Sequence, residues 1–123
     1  MEYHDVIATD VLIVGGGPAG LATAIELANR LKHNGENKKI MLIEKGSSIG
    51  AHILSGAVIR PKVFEELLSP EEYEGIPFDS KVGTDVTVKL NDNGSDTELP
   101  FHPPYMGNEG NYLASLAQVC KYL

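Results

Sequence analysis

Only one cysteine, Cys120, stands among the 123 residues, so thiolates of this chain cannot build an internal disulfide, a zinc site or an iron-sulfur cluster. Such scarcity points to a reducing compartment. Long apolar runs are also missing. No window reaches the roughly 18 consecutive apolar residues of a membrane-spanning helix, and any membrane contact is expected from the side. Met1 to Asp10 carries three acids, no arginine and no secretory apolar stretch, which matches neither a signal peptide nor a mitochondrial transit peptide. Basic residues are few, 10 against 17 acidic, and the net charge of -7 makes nucleic acid a poor partner. The chain shows no internal repeat. Its 42% apolar and 22% charged residues are those of an ordinary globular domain, or part of one.

The first third reads as a βαβ unit over about residues 10–45. Val11-Leu-Ile-Val-Gly15 is a continuous apolar run that predicts a strand buried on both faces, hence a parallel sheet. Leu21, Ala24, Ile25, Ala28 and Leu31 recur at helical spacing, with Pro18 at a tolerated first position and Asn34-Gly35 as the stop. Ile40 to Ile43 supplies a second apolar strand, ending at Glu44. Beyond it, Gly46 to Gly50 is a loop, Ala51 to Ile59 is apolar but contains Ser55-Gly56, and Pro61 to Leu68 predicts a short proline-started helix. Thr84, Val86, Val88 and Leu90 alternate with polar residues ahead of Asn93-Gly94, which predicts a hairpin over about 84–101. Asn93-Gly94-Ser95 also matches a glycosylation sequon and is read as a turn. Leu113, Leu116, Val119 and Leu123 predict a closing helix over about 112–123. A doubly wound domain needs a third parallel strand, and no run after Glu44 supplies it, so the chain reads as the N-terminal segment of a longer protein.

Gly15-Gly16-Gly17-Pro18-Ala19-Gly20 fits G-x-G-x-x-G, a weak signal alone. Here it ends a predicted strand, opens a predicted helix, and has an acid, Glu44, 24 residues past Gly20. Gly15 permits the tight turn, Gly17 lets the backbone approach a pyrophosphate, and Gly20 lets helix and strand pack closely. The helix N-terminus faces the anion with its free N–H groups and dipole, so no lysine is needed. Glu44 is expected to accept hydrogen bonds from adenosine ribose hydroxyls and to repel a 2'-phosphate. The fingerprint does not separate FAD from NAD.

Four blocks together are more specific: Val11 to Ala24, Ile43-Glu44-Lys45, Ile49-Gly-Ala-His-Ile-Leu-Ser-Gly-Ala-Val58, and Gly110-Asn111-Tyr112. They resemble the electron transfer flavoprotein-ubiquinone oxidoreductases, from roughly Asp10 to Leu123. Glu109 departs from the histidine usual in that family, and so does Lys121-Tyr122, where an aromatic is common. The resemblance implies an α/β fold, a Rossmann-like FAD-binding domain with a βαβ unit and a β-hairpin, incomplete at its C-terminus. It implies an oxidoreductase taking electrons from reduced electron transfer flavoprotein through FAD and a 4Fe-4S cluster to ubiquinone. Such an enzyme sits on the cytoplasmic face of a bacterial inner membrane or the matrix face of the mitochondrial one. Carried over by position, Gly15, Gly16, Gly17, Pro18, Ala19, Gly20, Glu44 and Lys45 would hold the ADP half of FAD, and Leu54, Ser55 and Gly56 would lie toward the flavin. The stretch about 46–68 would be flavin-contacting and membrane-proximal. No residue here is assigned a catalytic or metal-binding role, and the cluster ligands are expected outside the chain.

Other chemistry-bearing residues have plainer readings. His52 lies in a glycine-rich loop, His4, His33 and His102 read as surface positions, and Cys120 reads as a buried small hydrophobe. Glu65, Glu66, Glu71, Glu72 and Glu74 form a solvated acidic face, and Lys32, His33, Lys38 and Lys39 a solvated helix end. The alternatives are a related flavoprotein of the geranylgeranyl reductase or hydroxylase type, expected to diverge at Ala51 to Val58, and a non-catalytic dinucleotide-binding module.

Overall fold

The computed structural model describes residues 6–123; His4 lies outside them. The expected βαβ unit is present. Strand β1 (Val11–Val14) and strand β2 (Ile40–Ile43) pair in parallel, Val11 opposite Ile40, and helix α1 (Pro18–Asn34) crosses between them. Gly35, left-handed at φ 69°, ends α1, its N–H directed at the Leu31 and Lys32 carbonyls, which would otherwise lack partners.

The strand expected to be buried on both faces is covered on one. Ile13 packs inward under α1, while Leu12 is 51% and Val14 76% exposed. Side chains alternate across a strand, and α1 covers a single face of this two-stranded sheet. An apolar run records what both faces prefer, and it leaves open what covers them.

A second assembly holds the best-packed core. Strands β3 (Gly56–Ile59), β4 (Phe78–Lys81) and β7 (Tyr112–Ser115) form an antiparallel sheet in the order β3-β7-β4. Helices α2 (Lys62–Leu67), α3 (Pro70–Glu74) and α4 (Leu116–Tyr122) complete it. Ile76, Ala114 and Val119 are its buried centre, flanked by Ile59, Phe64, Leu68, Tyr73, Phe78 and Leu123. Phe78 stacks on Tyr112 at 4.4 Å and meets Phe64 and Tyr73 edge-on. Val119→Ala removes two methyl groups from this centre, and chemical denaturation is expected to show a loss of about 2 kcal/mol.

The closing helix starts later than its spacing predicts. Residues 112–115 are the central strand β7, with Ala114 buried and Leu113 outward, and the helix begins at Leu116. Strand β7 pairs with β3 on one side and β4 on the other, Ile59 opposite Tyr112 and Phe78 opposite Ala114, and these distant pairings override a local helical rhythm. The apolar stretch Ala51 to Ile59 is likewise half strand: Gly56–Ile59 is β3, with Ala57 and Ile59 half-buried. Helix α3 and strand β4 were not anticipated either. Helix α3 is set by a capping box in which Ser69 receives the Glu72 N–H and Glu72 receives the Ser69 N–H. Strand β4, Phe-Asp-Ser-Lys, carries no apolar alternation.

The hairpin is shorter than expected, β5 (Val88–Leu90) against β6 (Asp96–Glu98), with one further bond from Leu99 N–H to the Thr87 carbonyl at 2.8 Å. Its turn uses Gly94 at φ 81°, and Asn93 Oδ1 accepts from the Ser95 N–H and hydroxyl, as the turn reading requires. The hydrophobic side chains of Val88, Leu90, Phe101, Tyr105 and Met106 remain exposed around it. His102, read as a surface residue, is half-buried, its Nδ1 2.8 Å from Thr87 Oγ1, because the proline-rich passage folds back on the hairpin. The acidic residues of α2 and α3 are solvated, and Cys120 is buried beside Val119 with its thiol pushed up by desolvation.

Candidate functional site

The glycine turn is an extension of β1. Gly15 N–H donates to the Ile43 carbonyl at 2.7 Å, continuing the parallel pairing past the end of the strand. Gly15 then takes φ 107°, a conformation that favours glycine, and the chain reverses into α1. Gly17 is the residue before the helix, with Pro18 at the first helical position. A side chain at Gly20 would overlap the Gly15 carbonyl and press on Ile13 Cγ2 at 3.4 Å, which is the close helix-to-strand approach expected of this position.

The N-terminal end of α1 has no side-chain cap and no acidic residue in its first turn. Its first N–H groups therefore lack intrahelical partners and point outward. A Cβ at Gly17 would meet no atom within 4 Å, so the backbone there is open to a group approaching from outside. These features fit a pyrophosphate: free donors, the positive end of a 17-residue helix, and no acidic residue in its first turn.

Glu44 follows β2 and reaches across to the turn. Its Oε2 accepts from Gly16 N–H at 2.7 Å and its Oε1 from Gly46 N–H at 2.6 Å. These bonds, that from Gly46 first, hold its carboxyl below the usual glutamate range against a partial desolvation, with smaller pulls from His52 and Lys45. The depressed value means that the bonds stabilise the fold above the unfolded glutamate pKa of about 4.3 and are lost as pH falls through the folded value.

The structure brings Gly15, Gly16, Gly17, Pro18, Ala19, Gly20 and Glu44 together, with Lys45 exposed beside them. It puts Leu54, Ser55 and Gly56 elsewhere along the chain, leading into β3: Leu54 is 98% exposed, and Gly56 lies close against the Ala114 carbonyl. Between them, Gly50 at φ 81° abuts Ala117 of α4. Sequence reasoning put Gly46 and Ile49 in the 46–68 stretch but missed their contact with the glycine turn, where the Ile49 side chain occupies the place a Gly16 side chain would take; the signal was the pair of glycines bracketing that loop. Next to the helix start, a cavity of about 360 Å³ lined by Pro18, Ala19, Val63, Phe64 and Val119 is apolar.

Residues 13–70 match the family described as NAD(P)-binding Rossmann-like domain. Curated relatives include electron transfer flavoprotein-ubiquinone oxidoreductase of Pseudomonas aeruginosa, 42% identical over 116 residues, covering 93% of this chain and 21% of the relative. The mitochondrial enzyme of that name from Dictyostelium discoideum is 44% identical over 114 residues, 93% of this chain and 18% of its own length. That of Mus musculus is 36% identical over 115 residues, with the same shares. The chain thus spans about a fifth of the length of the curated relatives it matches. With its glycine turn inside a Rossmann-like βαβ unit and its matches running over almost the whole of its length, this chain is related by descent to the electron transfer flavoprotein-ubiquinone oxidoreductases and corresponds to their N-terminal segment.

Proposed function

We propose that this chain holds the ADP half of FAD in an oxidoreductase that passes electrons from reduced electron transfer flavoprotein to ubiquinone. The observation that carries the reading is the uncapped start of α1 behind an open Gly17, with Glu44 at the adjoining strand end. The N–H groups at Ala19 and Gly20 hold the pyrophosphate, and Gly17 lets it approach the backbone. Glu44 has lone pairs left on both oxygens for ribose hydroxyls, and its charge disfavours a 2'-phosphate. FAD, when bound, supplies the redox chemistry. Leu54, Ser55 and Gly56 are assigned to the flavin side.

A 4Fe-4S cluster and a membrane-surface position, bacterial cytoplasmic or mitochondrial matrix, belong to the same reading. One cysteine cannot ligate such a cluster, so its ligands come from other residues of the working enzyme. No helix among the described residues is long and apolar enough to cross a membrane. Exposed Leu54, Val58 and Val63, and a second exposed group at Leu90, Phe101 and Tyr105, support contact from the side.

Titrating the full chain with FAD and with ADP, by flavin fluorescence and calorimetry, tests the site. Saturable, mutually competitive binding is expected, with 2'-phospho-ADP much weaker. No binding of FAD or ADP overturns the reading, and ADP binding that FAD does not displace removes the flavin from it. For electron transfer, the test is the reading frame past codon 123. In-frame continuation into a cysteine-rich cluster motif supports it, and a stop leaves a binding module.

A further inference from the structure

Glu44 does more in this structure than wait for a ribose. Its two oxygens each receive a backbone N–H, one from the glycine turn and one from the loop after β2, at 2.7 and 2.6 Å. The N–H of Gly16 is thereby directed at the carboxylate, and the side chain of Ile49 fills the space beside Gly16. The middle glycine of the turn, a position the fingerprint leaves open, is thus fixed from two sides by the residues 44–49.

We propose that Glu44 is a positioning residue for the glycine turn, its carboxylate tying Gly16 to Gly46 so that the turn is already in its receiving shape before a dinucleotide arrives. This rests on the nucleotide-binding reading above and deepens it. A carboxylate has about four acceptor sites and no donor. Two are used by the amides, and each oxygen keeps one for a ribose hydroxyl, so tether and ribose contact coexist. A glutamine has a single acceptor oxygen, and its NH₂ would face the other N–H donor, so one amide loses its partner. Shape is set by the tether and is needed by the pyrophosphate whether or not the ribose hydroxyls are present.

That last point gives the test. Wild-type chain and Glu44→Gln are titrated with ADP and with 2',3'-dideoxy-ADP, which lacks the hydroxyls Glu44 would bind. The variant is expected to weaken both ligands by about tenfold. Unchanged binding of dideoxy-ADP, with ADP alone weakened, overturns the proposal, because Glu44 would then act through the ribose only. A second measurement needs no variant. In the ligand-free chain, amide proton shifts of Gly16 and Gly46 are followed against pH. Both are expected to move together with a midpoint below the usual glutamate range, His52 and Lys45 being the other titratable groups nearby. Amide shifts that ignore that step overturn the tether. Failure of the wild-type chain to bind either nucleotide overturns the nucleotide reading itself, and the amide titration then reports on the tether separately.

Discussion

Gly20→Ala is expected to disrupt the β1-α1-β2 unit outright. The added carbon would fall on the Gly15 carbonyl oxygen, with the carbonyl carbon only 3.1 Å away. Neither atom belongs to a flexible side chain. Relief requires α1 to move off the strand, which would uncover Ile13 and Leu21, the two buried hydrophobic side chains of this unit. Overpacking against side chains costs typically about 1–3 kcal/mol, and a backbone obstacle places this substitution at or above the top of that range. Urea denaturation monitored by circular dichroism, with hydrogen exchange at the β1 amides, would register it. A midpoint within error of wild type would show that helix and strand are not held at this distance.

Gly17→Ala has the opposite profile, a large effect on binding with little on stability. Gly17 sits at φ -82° and ψ -178°, where any L residue is comfortable, and its added Cβ meets nothing within 4 Å. Two small terms oppose each other. Loss of glycine's unfolded-state freedom contributes about 0.4–1 kcal/mol of stability. Alanine is a poorer residue than glycine before a helix, at a cost of a similar size. Stability therefore stays within about 0.5 kcal/mol. The methyl group, however, stands where the pyrophosphate would approach the backbone. Affinity for ADP and FAD is expected to fall by about a hundredfold, equivalent to roughly 2.7 kcal/mol. Unchanged affinity in a folded Gly17→Ala chain would mean that the ligand does not pass this point.

The close helix-to-strand contact at Gly20 is legible in the sequence, since the fingerprint assigns that position to helix packing, as it assigns Gly17 to ligand approach. The same is true of Glu44, whose place at the end of β2 follows from the spacing. What the spacing did not carry is the other use of that side chain. Its reach to Gly16 depends on β1 and β2 being adjacent, and its bond to Gly46 on the path of a loop with no regular structure. The place of Ile49 beside Gly16 was hidden for the same reason. Ser69 is a different case: Ser-Pro-Glu-Glu is a capping sequence that the chain displays openly, and helix α3 could have been found from it.

Residues 10–45 were determined largely by the sequence itself. A helix is built from contacts three and four positions apart, a glycine stop acts within one turn, and two continuous apolar runs flanking such a helix have one common arrangement, the parallel crossover. Strand β7 was decided only by tertiary structure. Its four residues read equally well at helical spacing, and they became a strand because residues 56–59 and 78–81, each more than 30 positions away, offered edges on both sides. The exposure of Leu12 and Val14 and the inward turn of His102 have the same origin. Local periodicity states what a segment prefers, and only the packing of distant segments determines which of its faces is covered.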